Sequence, residues 1–234
     1  GRHLRTVGRE GGGPAEFRSM GSLAAAGDSL VVGDFNNRRV SVFAPDGSLV
    51  RAVSLDAAGS GSFPIPEGYF GDGSILVSSG STFDSGSRNG VSRDSVRYLR
   101  LDAAGGTPRE LGRFVGSEMF VQSAGGMVMS GPRAFGRSSE VAAVPDGFFF
   151  GSSDAREIGR YDLAGRLLRV VRWPGEPREV TPEDVERFKE MRRKDAASTR
   201  GGRFRQLMER SLAAMSFPET MPAHGEIRAD RAGN

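Results

Sequence analysis

The chain contains no cysteine. That excludes a disulfide framework, a thiol nucleophile and a cysteine-ligated metal, and leaves the compartment undecided. Only two histidines occur, His3 and His224, one near each end. A histidine metal site or a Ser-His-Asp triad would require the two ends to meet, and no G-x-S-x-G elbow is present. Lysine is nearly missing as well: of 32 basic residues all but Lys189 and Lys194 are arginine. No apolar run approaches the roughly 18–20 residues needed to cross a bilayer, so no membrane span is expected.

The formal net charge is +3, from 32 Lys+Arg against 29 Asp+Glu. Residues 181–216 hold nine of the former and six of the latter, and so carry the whole excess. The rest is balanced and has no basic stripe interleaved with aromatics, so a nucleic-acid partner is not expected. The glycine run from Gly8 to Gly13 lacks the Lys-Ser/Thr ending and following helix of a phosphate loop, and reads as a turn.

What is abundant is glycine, 34 in 234 residues, between short apolar runs. That pattern belongs to many strands joined by turns. Asp28 to Val53 recurs without a gap at Asp146 to Val171, with identity at Asp28/Asp146, Gly33/Gly151, Arg38/Arg156, Gly47/Gly165, Leu49/Leu167, Arg51/Arg169 and Val53/Val171. Each copy predicts four short antiparallel strands. In the first these are residues 22–26, 30–32, 40–43 and 49–55. Pro45-Asp46-Gly47 makes the last turn, where proline pre-sets φ and glycine accepts a positive one. The unbroken apolarity of Leu30-Val31-Val32 predicts burial on both faces. The second unit in chain order, between these two copies, is less regular; it starts at Ile65 and turns at Gly105. It carries about 14 extra polar residues, 80–94, which predict a long exposed loop of the kind that often serves function.

After Trp173 the period changes. Thr181-Pro182-Glu183-Asp184 is a helix start, with threonine as N-cap and acids in the first turn. Val185, Phe188 and Met191 share one helical face, and Phe204, Leu207, Met208 and Leu212 mark a second helix after a break at 196–202. The stripe is expected to pack on the molecule's own surface. Residues 227–234 predict a strand and turn opening another unit. The expected division is thus 1–180 for the repeated four-strand units, 181–216 for a helical insertion and 217–234 for the start of a further unit.

A recurring four-strand unit is what a β-propeller blade looks like. Gly8-Arg9-Glu10-Gly11-Gly12-Gly13-Pro14-Ala15-Glu16-Phe17 resembles the linker G-x-x-G-x-G-P-x-x-F ahead of an NHL-type blade. Asp34-Phe35-Asn36-Asn37-Arg38-Arg39-Val40-Ser41-Val42-Phe43 resembles that blade's D-x-x-N-x-R-V-x-V-F. The match weakens in residues 146–171, where Ala155 and Glu157 replace Asn37 and Arg39, and is nearly lost in the unit between. Overall the chain is similar to bacterial six-bladed propeller proteins of NHL-repeat-like type. The resemblance implies an all-β propeller, with about three blades and partial end blades in this chain, and an extracytoplasmic location, periplasmic or lipoprotein-anchored. Three blades would leave two open edges, so the chain is expected either to belong to a longer protein or to form an oligomer.

The polar constellation Asp34, Asn36, Asn37 and Arg38 is read first as strand-to-strand and blade-to-blade hydrogen bonding, since Arg38 recurs as Arg156. The competing role is ligand contact at one loop-lined face formed by residues 34–38, 80–94 and 152–156. Its candidates are Asp34, Asn36, Arg38, Arg88, Asn89, Asp154 and Arg156; no catalytic, cofactor or metal residue is assigned. The expected function is a non-enzymatic scaffold binding a protein, peptide or glycan through that face. The alternative resembles gluconolactonase and strictosidine-synthase-like hydrolases, which hold a divalent cation such as Ca²⁺ with oxygen ligands from several blades. This chain shows no full ligand set for it.

Overall fold

The computed structural model describes residues 2–3, 5–59, 64–80, 89–124, 127–198 and 202–230. The chain is mostly β and propeller-like. Two short strands, β1 (Arg9–Glu10) and β2 (Glu16–Phe17), pair in parallel across the glycine-rich turn. Blade A follows as β3 (Met20–Ala26), β4 (Ser29–Asp34), β5 (Arg39–Phe43) and β6 (Leu49–Ser54). Then come β7 (Ile65–Tyr69), β8 (Ile75–Ser79), β9 (Gly90–Ser92), β10 (Ser95–Leu101) and β11 (Arg109–Val115). Blade B is β7-β8-β10-β11. The strands β12 (Met119–Ala124) and β13 (Met127–Pro132) precede blade C, which is β14 (Ser139–Val144), β15 (Gly147–Ser152), β16 (Glu157–Asp162) and β17 (Leu167–Arg172). All three blades are four-stranded antiparallel meanders with strands in chain order, the arrangement of propeller blades. No closed ring of sheets is present among the described residues.

The first strands of the blades lie side by side, β7 against β14 and against β3. Gly68 permits this: a Cβ there would sit 2.5 Å from the Ala143 Cβ. The sheets then face one another. Between blades A and B lie Val31, Val40, Val42, Val53 and Leu55 against Ile75, Val77, Leu99 and Leu101. Between blades B and C lie Phe70, Leu76, Tyr98 and Leu111 against Phe148 and Phe150. The recurring turn glycines have φ near +80°, Gly47 at 80°, Gly105 at 79° and Gly165 at 81°, the left-handed region that a side chain resists.

Four expectations are corrected. Leu30 is 41% exposed, because the face of blade A away from blade B is open over Leu30 and Leu23. Part of the expected 80–94 loop is a strand, β9, paired to β12 in a three-stranded sheet of order β13-β12-β9. That sheet was not anticipated, since its strands come from an insertion within blade B and the linker to blade C. The helix expected to break at Ala196 runs further: α1 is Pro182–Ser198 and α2 is Gly202–Ala214. Residues 227–230 form no strand; their segment lies over blade C, where a Gly151 Cβ would meet the His224 ring and Ile227.

The start of α1 follows the expected chemistry. Thr181 Oγ1 accepts the Asp184 N–H at 3.2 Å, while the Asp184 carboxylate accepts the Thr181 N–H and hydroxyl. Backbone bonds from Val180 N–H to Glu219 O and from Met221 N–H to Arg178 O close the base of the helical segment. Its body is anchored by Phe188, which packs on Phe135 and Phe217 at centroid distances of 5.7 and 6.0 Å.

Candidate functional site

In an antiparallel meander the second-to-third connection and the chain leaving the fourth strand share one end. Residues 34–38 and 152–156 are equivalent connections, so they stand at the same end of blades A and C. At blade A the centre is Asp34, the last residue of β4, 1% exposed. Its carboxylate accepts the backbone N–H of Arg18 at 2.9 Å, Asn37 at 3.1 Å and Ser19 at 3.2 Å, and the Asn37 side-chain amide at 2.7 Å. Burial pushes this carboxyl up, but those donors together outweigh it and the net shift is downward. Asn37 also donates to Gly11 O at 2.9 Å, and Arg39 reaches Gly12, Gly13 and Glu16 carbonyls. The linker motif and the blade motif are therefore two halves of one clasp.

Arg38 sits at φ 46°, a left-handed conformation. Its Nε donates to Asp56 at 2.8 Å and its Nη2 to Gly59 O at 3.1 Å. Arg156 repeats the function at blade C, donating to Glu176 O. Each backbone carbonyl also accepts an equivalent bond, Leu55 N–H to Arg38 O and Trp173 N–H to Arg156 O. The recurring arginine thus ties down the chain as it leaves each blade. Asn36 is exposed.

At blade C the centre is Asp154. Arg93, just past β9, donates Nη1 to Asp154 Oδ1 at 2.8 Å and Nη2 to Oδ2 at 2.7 Å, a two-pronged pair. The same guanidinium donates to Ser152 Oγ at 2.9 Å and Gly116 O at 2.7 Å. The Ser152 hydroxyl also donates to Asp154. The Arg93 hydrogen bonds are the largest cause holding the Asp154 carboxyl down to about 2; burial opposes them, and Ser152, with the Arg93 and Arg137 charges, assists. Arg137 lies 4.0 Å from Asp154 and binds the Thr220 and Met221 carbonyls and the Thr220 hydroxyl. Segments 89–94, 133–138, 152–156 and 219–221 are so joined by arginines.

Among the sequence candidates, Asp34 and Arg38 are held in backbone clasps, Asp154 and Arg156 in the blade C network. Asn89 is exposed and its Oδ1 accepts the Ser123 N–H at 2.6 Å; Arg88 lies outside the described residues. Sequence reasoning missed Arg93 and Arg137. The signal for Arg93 was its place where the insertion must return to β10, opposite an acidic connection.

It also missed a pair on the first strands. Glu67 of β7 accepts the Ser78 hydroxyl at 2.5 Å, and burial, then the nearby Glu140 charge on β14, raise its carboxyl despite that bond. Burial and both carboxylates raise the Tyr98 phenol. Two carboxylates are fewer than a cation site needs, and no group of three His, Asp or Glu able to hold a metal occurs among the described residues. Nor is any helix there long and apolar enough to cross a membrane.

No protein-family model matches the chain, and no curated protein matches its sequence. Solved structures similar to it include a protein of unknown function from Bacteroides caccae, with 14% identity, 68% of this chain and 47% of that one covered, and a TM-score of 0.28. Virginiamycin B lyase from Staphylococcus aureus gives 13%, 67%, 56% and 0.30, and a streptogramin B lyase gives 12%, 67%, 55% and 0.29. The chain spans about half the length of these structures.

Proposed function

We propose that the chain is part of a non-enzymatic propeller of six-bladed, NHL-like type, a bacterial extracytoplasmic scaffold that binds a protein, peptide or glycan through the loop end of its blades. The observation that carries this is the convergence at blade C. Four separate segments are fixed together there by Arg93 and Arg137, so a loop surface is held rigid at little ordering cost on binding. The bacterial and extracytoplasmic assignments rest on the linker and blade motifs of residues 8–17 and 34–43.

A cation-dependent hydrolase is the second reading, and Glu67 with Glu140 is what favours it. The described residues alone do not complete a ligand set for that cation.

The test is a glycan and peptide array probed with the 234-residue chain and with two blocking variants. Ala155→Trp obstructs the loop end, and Ala104→Trp obstructs the opposite, turn end; both positions are exposed. Hits lost with Ala155→Trp and kept with Ala104→Trp support the proposal. Hits lost with Ala104→Trp alone overturn the choice of face, and an array without hits overturns peptide and glycan binding.

A further inference from the structure

The helices and the unanticipated sheet line a half-open groove of about 310 Å³. Phe120 of β12 and Pro132 of β13 line it from the sheet, and Phe188, Met191, Met208 and Leu212 from the helices, with Met215 just past α2. The volume falls at the lower end of the range for small-ligand sites. It has room for about ten groups of methylene or water size, at roughly 30 Å³ each. Three of the lining residues are methionines, whose unbranched thioethers adapt to flexible apolar chains.

The one charged residue in the lining is Arg192. Its neighbours on α1 are satisfied: Arg187 holds Glu183, Lys189 holds Glu186 and Arg193 holds Glu209 on α2. Arg192 forms no hydrogen bond or ion pair among the described residues. A mainly apolar groove whose lining carries a single unpaired cation matches a ligand with a short hydrocarbon tail and one anionic head.

We propose that this groove binds a small amphipathic carboxylate, of the size of a medium-chain fatty acid, with the tail among Met191, Met208 and Met215 and the head at Arg192. The site adjoins the loop end of the blades, since Phe135 packs on its wall residue Phe188 at 5.7 Å, but it uses other residues and does not depend on the scaffold reading.

The test is a titration of the full chain with decanoate, followed by methionine-methyl NMR and calorimetry, with decanol as the uncharged counterpart. The methyls of Met191, Met208 and Met215 should shift saturably, while that of Met20 on blade A stays put. Arg192→Gln should weaken decanoate by about fivefold, the scale of one partly exposed charge contact, and leave decanol unchanged. Met191→Trp, at a position 52% exposed and tolerant of bulk, should fill the groove and abolish both. Any of three results overturns the proposal: no saturable shift, shifts spread equally over all eight methionines, or decanol binding as tightly as decanoate with Arg192→Gln without effect.

Discussion

Arg93 and Asp154 are 61 residues apart in sequence and meet through two parallel hydrogen bonds of 2.8 and 2.7 Å. This pair closes an insertion of blade B onto the loop end of blade C. A double-mutant cycle with Arg93→Gln and Asp154→Asn should give a coupling of about 1 kcal/mol, small because Asp154 is half-exposed. The pH dependence has a definite sign. The folded carboxyl is held down to about 2, below the unfolded value of about 3.9. Its contribution is therefore present above the unfolded value and is lost as pH falls toward about 2. The stability gap between the native chain and Asp154→Asn should close over that window in acid denaturation.

Glu67 has the opposite sign. Burial and the Glu140 charge raise its folded pKa, so the group favours folding fully only below its unfolded value of about 4.3 and opposes folding as pH rises above it. Glu67→Gln should raise the melting midpoint at pH 7 and leave it unchanged near pH 3.5.

Gly68 is a packing requirement. Gly68→Val should cost about 1–3 kcal/mol by forcing β7 away from β14. Gly68→Ala should lose less, and Ala143→Gly should restore most of that loss, because the clash is between those two Cβ positions. Urea unfolding of the three variants measures it.

Phe148 is fully buried and stacks on Tyr161 at a centroid distance of 5.0 Å. Phe148→Ala should cost about 3–5 kcal/mol, a large part of a typical domain's stability. Near-ultraviolet dichroism should fall with it, since Tyr98, Phe114 and Phe150 belong to the same cluster.

Millimolar CaCl₂ should leave the melting midpoint unmoved, because a ligand stabilises only what it binds. A rise that Glu67→Gln abolishes would instead favour the hydrolase reading.

The blades were legible because their repeat is local: Gly47, Gly105 and Gly165 mark turns that only a positive φ permits, and Arg38 and Arg156 recur at the same step of the unit. The sheet β13-β12-β9 was not legible, because β9 is three residues long and pairs with a strand about 30 positions away. Nothing in Gly90-Val91-Ser92 alone selects that partner. The same separation hid Arg93: its role depends on where Asp154 arrives. Leu30 misled because burial on both faces depends on a neighbouring sheet, which the strand's own residues cannot supply.

Under the scaffold proposal, ligand meets the loop end of the blades. The direct measurement is a binding titration of an array-selected peptide or glycan against the native chain, Ala155→Trp and Ala104→Trp. Ala155→Trp should lose about tenfold or more, as expected when bulk is placed within a contact surface, and Ala104→Trp should keep native affinity. Native affinity for Ala155→Trp with a loss for Ala104→Trp would place the binding face at the other end and contradict it.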